Sequence, residues 1–167
     1  QSNWLVLNYT TNFFVQEPEI DGNGTLTFQV ATNANGTNSI TFIVADDGGT
    51  ANSGRDRVTN ILTLAVASAN DLPIITTNIS ALTINEDAGR TNLSYSIYDA
   101  DHSYSSLTIT ATSTNTSLVP TNGFTFTGTS SNRTVGVTAL TNAFGTTEIS
   151  LVVTDPAGGA ATNTFLL

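Results

Sequence analysis

Residues 25–49 read TLTFQVATNANGTNSITFIVADDGG and residues 134–158 read TVGVTALTNAFGTTEISLVVTDPAG, and the two align without a gap at an offset of 109. Ten of the 25 positions are identical: Thr25, Thr32, Asn33, Ala34, Gly36, Thr37, Ile40, Val44, Asp46 and Gly49. Most others exchange like for like, as Phe42 does with Leu151 and Ile43 with Val152. Self-similarity at domain-sized spacing marks an array in which each module is a copy of one structural unit.

The register extends in both directions. Past a six-residue insertion at 53–58, Thr59-Asn60 matches Thr162-Asn163, and upstream residues 4–12 resemble residues 107–115. Nothing in the first copy matches residues 72–103. The expectation is therefore two domains, 1–70 and 71–167, the first lacking its N-terminal strands. Either the missing part lies upstream in a longer polypeptide, or another subunit completes the first module by strand donation. The missing part would include a strand like 92–97 (NLSYSI), whose alternation is that of a core strand. A sandwich without it exposes an apolar groove and an unpaired edge, and such edges recruit strands.

Composition narrows the class. Four Arg (Arg55, Arg57, Arg90, Arg133) are the only cations against 13 carboxylates, for a net charge of −9. Phosphate binding needs clustered cations, so nucleic acid and anionic membrane are poor partners. The acidity suits solubility and divalent-cation binding. There is no Cys, so stability comes from sheet cores, metal or neighbouring modules rather than disulfides. The absence of Lys also removes lysine–asparagine isopeptide crosslinks. No apolar run approaches the ~20 residues of a membrane span, and no signal-peptide pattern is present.

The local pattern is β throughout. Period-2 alternation recurs at Trp4/Val6, Leu26/Phe28/Val30, Ile40/Phe42/Val44, Leu62/Leu64/Val66, Leu107/Ile109, Phe124/Phe126, Val135/Val137 and Ile149/Leu151/Val153. Turn chemistry punctuates these runs at Asp21-Gly22-Asn23-Gly24, Asn35-Gly36, Asp46-Asp47-Gly48-Gly49, Asn122-Gly123 and Asp155-Pro156-Ala157-Gly158. No window carries a helical stripe. Short strands at such spacing predict antiparallel β-sandwiches, with about seven strands in the second domain.

Several short motifs occur in a consistent order. They are the linker Ala69-Asn70-Asp71-Leu72-Pro73, then Ile84-Asn85-Glu86-Asp87, Asp99-Ala100-Asp101, and the two Val-x-Asp-x-x-Gly hairpins. Together they resemble the cadherin-like and immunoglobulin-like tandem repeats of large bacterial surface proteins, over nearly the whole chain. The resemblance implies an all-β fold of tandem immunoglobulin-like (cadherin-like) antiparallel sandwiches strung in a rod. It also implies an extracellular, cell-surface location and Ca²⁺ at the domain junction. Carried over residue by residue, the ligands are Asn70 (through its carbonyl), Asp71, Asp99, Asp101 and Asp155. By the same logic Glu86 and Asp87 would serve the next junction and Asp46 the preceding one. Ca²⁺ takes six to eight oxygens, mostly carboxylates and carbonyls. The chain departs from the cadherin pattern at residues 32–36 (TNANG), where the acidic motif of the preceding domain is absent. The alternative is that Asp46, Asp99 and Asp155 simply open turns by accepting backbone N–H bonds.

Other constellations point to less. His102, the single His, reads as a surface-loop residue beside Ser103, Ser105 and Ser106, without the oriented base that a Ser–His–Asp site needs. Glu17 and Glu19 read as a solvated loop rather than a sugar-cleaving pair, and Gly48-Gly49 and Gly158-Gly159 as hairpin glycines. Trp4 and Tyr95 are expected to face a core. Adjacent Phe13 and Phe14 cannot both point inward along a regular strand, so the pair is a candidate interface with a neighbouring subunit.

These readings converge on a non-catalytic structural segment of a long extracellular protein, a stalk or shaft in an adhesion context. Its partners would be neighbouring modules or identical subunits. Two alternatives stay open: a ligand-binding adhesin module for a polysaccharide or host protein, and a subunit of a homopolymeric filament.

Overall fold

Alternation in the sequence becomes alternation across sheets, strand by strand. The computed structural model describes residues 3–167, and the chain divides into two units, 1–69 and 70–167. The alternation at Trp4 and Val6, and the expectation that Trp4 faces a core, concern side chains outside those described. No helix among the described residues is long and apolar enough to cross a membrane.

Among the described residues the first unit holds five strands: β1 (Asn3–Asn8), β2 (Phe14–Ile20), β3 (Leu26–Val30), β4 (Gly36–Ala45) and β5 (Arg57–Val66). They form a three-stranded sheet in the order β1-β4-β5 and a two-stranded sheet β2-β3, all antiparallel. Ile40 and Phe14 are its buried apolar anchors. The Phe14 ring meets Tyr9, Phe13 and Phe28 edge-on, at centroid distances of 5.7, 5.4 and 5.7 Å, the T-shaped geometry that aromatic quadrupoles favour.

Two expectations change here. Phe13 ends a one-turn 3-10 helix (Thr11–Phe13) and is not on a strand at all. The alternation rule that would turn one ring outward does not apply, and Phe13 packs half-buried on Phe14 within the unit. Glu17 and Glu19 do not lie in a loop: they are exposed positions of β2, flanking the buried Pro18. A proline among acids reads as a strand breaker, yet edge strands with bulges accept it. β2 carries two such irregularities, between Phe14/Gln16 and Gln16/Glu19.

The second unit holds seven strands: β6 (Ile74–Ile75), β7 (Arg90–Tyr98), β8 (Thr108–Ser113), β9 (Phe124–Thr127), β10 (Asn132–Thr138), β11 (Glu148–Thr154) and β12 (Ala160–Leu166). One sheet runs β6-β7-β10-β9 and the other β12-β11-β8. Their facing side chains make one core: Tyr95, Ile97, Val135 and Val137 from the first sheet, and Ile149, Leu151, Val153 and Phe165 from the second. Tyr95 therefore faces the core, as its place in the alternation predicts.

The repeat holds in three dimensions. The sheet β1-β4-β5 recurs as β8-β11-β12, and β2-β3 recurs as β9-β10. Even a buried polar pin is kept with its chemistry changed. Asn38 on β4 bonds the Thr10 backbone through both ends of its amide, at 3.3 and 3.2 Å. At the matching position Thr147 shares a 2.7 Å bond with the Ser113 hydroxyl and accepts the Asn115 N–H at 2.9 Å. In each copy the segment after the first repeated strand is tied to the start of the central one.

Candidate metal centre

The chain leaves β7 at Tyr98 and turns at once on Asp99. Asp99 Oδ1 accepts the N–H groups of Asp101 at 2.9 Å and His102 at 2.7 Å, the local bonding that makes Asp a turn-former. The turn folds the imidazole back, so that His102 Nδ1 lies 3.2 Å from the same oxygen. The other carboxylate oxygen, Oδ2, is buried and has no hydrogen-bond partner. A buried acceptor left unpaired is costly, and a cation is one way to satisfy it.

Asp155 opens the β11–β12 turn. Its Oδ1 accepts the Gly159 N–H at 2.8 Å, and its Oδ2 accepts from Asn70 Nδ2 at 2.9 Å. Gly159 is required by space. A Cβ there would lie 2.4 Å from Asp155 Oδ2 and 3.1 Å from Asn70 Nδ2. The exposed Asp101 accepts the Asp71 N–H through Oδ2 at 2.5 Å. Of the five residues expected as ligands, hydrogen bonds thus join Asn70 to Asp155, and Asp71 to Asp101 and on to Asp99.

The tightest group adds a residue outside that set. Donor atoms of Asp99, His102 and Asp155 all lie within 4.8 Å of one another, the only such group of three or more among the described residues. His102 was expected in a surface loop. It does sit in a loop, but half-buried against Asp99. The signal in the sequence was its position three residues after the turn-forming Asp. Arg133 is the second residue that sequence reasoning passed over. It is buried, and its guanidinium donates to the carbonyls of Gly128 and Tyr104, bracing the loop that carries Asp99, Asp101 and His102.

The outlying acids lie apart from this cluster. Asp46 Oδ1 accepts the Gly48 N–H at 2.7 Å. Asp87, in the left-handed region at φ 59, accepts the Asn142 N–H at 2.9 Å. Glu86 lies at the rim of a pocket lined by Leu82, Ile84, Leu118 and Ala143. Asp46, Asp99 and Asp155 all accept backbone N–H bonds, as the turn reading expects. Asp99 and Asp155 also share the donor cluster.

The amide of Asn70 holds the Asp155 carboxyl below its ordinary value of 3.8, with the backbone N–H groups of Gly159 and Ala157 and the nearby His102 adding to it and burial opposing. A carboxyl lowered by the fold stabilises it above the unfolded pKa, and that contribution is lost as pH falls through the folded value. Asp155→Asn is therefore expected to flatten the acid limb of the stability curve below about pH 4. Thermal midpoints from pH 2 to 7 check this; parallel wild-type and variant curves would show that Asp155 does not contribute.

The fold matches solved structures along almost its whole length. The extracellular cadherin domains 3–6 of protocadherin gamma B2 superpose with a TM-score of 0.55 at 15% identity, over 99% of this chain and 42% of that one. The EC3–6 cis-dimer structure of protocadherin gammaB7 gives 0.57 at 13% identity, over 99% and 38%. Mouse cadherin-23 EC22–24 gives 0.53 at 16%, over 99% and 51%. The chain thus spans about half or less of the length of these structures, and the likeness is one of fold. No curated protein matches the sequence. A family model described as Bacterial Ig domain matches residues 70–167, more than half of the chain. With the strand order and the repeat, that match places the chain in the bacterial Ig domain family.

Proposed function

We propose that the chain is a non-catalytic structural segment of a long extracellular bacterial surface protein. It acts as stalk or shaft in an adhesion context and is stiffened by Ca²⁺ held at the Asn70 end of the second unit. The observation that carries the structural role is the repeat itself: the same strands recur in the same order, so length is built by adding copies. The serines beside His102 support a non-catalytic reading. Ser106 Oγ donates to the Ser103 carbonyl at 2.8 Å, and the Ser103 and Ser105 hydroxyls bond each other at 3.2 Å, rather than the imidazole.

The donor set fits a hard divalent cation. Asp99 offers a buried, unpartnered oxygen, Asp155 and Asp101 offer further carboxylates, and Asn70 and Asp71 are bonded to those two in turn. A bound Ca²⁺ would supply positive charge that relieves the repulsion of carboxylates gathered at one end of an acidic domain. The residues themselves position that end. Asp99 shapes the loop, Gly159 leaves room beside Asp155, and Asn70 ties the first residues of the unit to the β11–β12 turn.

Calorimetric titration of CaCl₂ into the chain tests the cation. One site with Kd of about 10⁻⁴–10⁻³ M is expected, the range of extracellular modules, and Asp99→Asn should abolish the heat. No heat at millimolar Ca²⁺ would remove the metal from the proposal. Electron microscopy of the native protein tests the structural role separately. Extended rods support it; a compact particle with no repeat along its length would overturn it.

A further inference from the structure

The donor cluster at the Asn70 end of the second unit contains one group that Ca²⁺ does not explain. Ca²⁺ is a hard ion that takes oxygen ligands. The tightest donor group among the described residues is instead two carboxylates and an imidazole, Asp99, Asp155 and His102, within 4.8 Å of one another. Imidazole nitrogen suits borderline dications such as Zn²⁺, whereas carboxylate, carbonyl and water suit Ca²⁺.

The turn closed by Asp99 delivers the ring. Asp99 Oδ1 accepts the His102 N–H at 2.7 Å, and Nδ1 of the same residue lies 3.2 Å from that oxygen. A tetrahedron whose centre is about 2.0–2.1 Å from each corner has edges of about 3.3–3.4 Å, so the ring nitrogen and this carboxylate already stand at the spacing of two ligands on one Zn²⁺. Asp99 Oδ2 is buried without a hydrogen-bond partner, on a side chain with 0% exposure. That oxygen is the acceptor a cation would meet, because leaving it unpaired is costly. Asp155 is 5% exposed and oriented by Asn70 Nδ2 on one oxygen and the Gly159 N–H on the other. Each of its oxygens keeps a second lone pair, and carboxylate ligands are commonly held by such bonds. The His102 side chain is 23% exposed, which leaves an approach from solvent. Three protein ligands and a water make a four-coordinate Zn²⁺ site.

We infer that Asp99, His102 and Asp155 form a site for a borderline transition-metal dication of the Zn²⁺ class, with His102 Nδ1 as the ligand that admits it. The inference rests on the proposed reading of this end as a cation site and goes beyond it in the class of metal held. The two ions would share Asp99 and Asp155, so one excludes the other. Zn²⁺ would take the Nδ1 lone pair and leave the ring proton on Nε2.

The chain carries a single His, so nitrogen NMR reports one imidazole, and the probe is ZnCl₂ alone. A saturable shift of the His102 ring nitrogens, largest at Nδ1, is expected. Loss of a residue that only orients a ligand commonly costs about 10–100-fold in affinity, so His102→Gln, which removes a ligand, should weaken Zn²⁺ binding by at least about a hundredfold in calorimetry. Its Ca²⁺ affinity should not change. An imidazole unshifted at millimolar Zn²⁺ would overturn the inference, as would a His102→Gln chain that holds Zn²⁺ as tightly as the wild type. A shift that persists at unchanged affinity in Asp155→Asn would also overturn it, since the ring would then bind Zn²⁺ by itself. The CaCl₂ titration separates the two readings. No Ca²⁺ heat beside a Zn²⁺-shifted imidazole would remove Ca²⁺ and support the mixed-donor site, whereas Ca²⁺ heat beside an unshifted imidazole would keep Ca²⁺ and overturn it.

Discussion

Leu151→Ala is expected to cost the second unit about 3–4 kcal/mol, the range for emptying a leucine site inside a packed core. Leu151 is 0% exposed at the middle of β11, opposite Ala111 on β8 and Asn163 on β12. It faces Tyr95, Ile97 and the β10 valines across the sandwich, so no backbone can close over the void without moving two sheets. The same truncation in the first unit should cost far less. Leu62, on the outer strand β5, is 40% exposed, and removing its side chain returns little apolar surface to water; about 1 kcal/mol is expected. Amide exchange under mild denaturant separates the two effects, because β11 amides report one unit and β4 amides the other. Equal costs would mean that the two cores are equally packed, against the burial difference between Val135, fully buried, and its half-buried counterpart Leu26.

That difference bears on what the sequence could disclose. Strand positions were legible because each buried strand alternates, and turns were legible because Asp and Gly have local mechanisms. The 109-residue offset made the copies legible without any structural knowledge. Strands whose cause is tertiary were not legible. β2 holds Pro18 and two glutamates, and only its place at a sheet edge explains why it is a strand. Phe13 and Phe14 look like neighbours on one strand, and a single 3-10 turn divides them.

The site divides along the same line. Asn70, Asp71, Asp99, Asp101 and Asp155 came from motif order, and the fold bonds Asn70 to Asp155 and Asp71 through Asp101 to Asp99. His102 joins them only because Asp99 closes a turn that returns the ring to the carboxylate. Arg133 left no local signal at all. Its partners are carbonyls of Gly128 and Tyr104, five and 29 residues away in sequence, and backbone acceptors have no side-chain signature.

Arg133 therefore provides a test of how the core supports the site. A buried guanidinium without a carboxylate partner is tolerable only where its donors are met. Here two nitrogens bond carbonyls, and Nε has no partner. One of those carbonyls belongs to Gly128, whose φ of +95 suits glycine, and where a Cβ would lie 2.7 Å from the Asn132 oxygen. The other belongs to Tyr104, two residues beyond His102. Arg133→Met keeps much of the aliphatic volume and removes both bonds, leaving two carbonyls short of a donor; a loss of about 2–4 kcal/mol is expected. Arg133→Lys should recover only part of it, because one ammonium lacks the fork that serves two acceptors. If the guanidinium also positions the loop, Arg133→Met should weaken Ca²⁺ binding by roughly tenfold or more, as loss of a residue that orients metal ligands commonly does. Denaturant unfolding and calorimetry on the same samples separate the outcomes. Lower stability with unchanged Ca²⁺ affinity would confine Arg133 to the core, whereas loss of both would make it the strut between the sandwich interior and the proposed Ca²⁺ site.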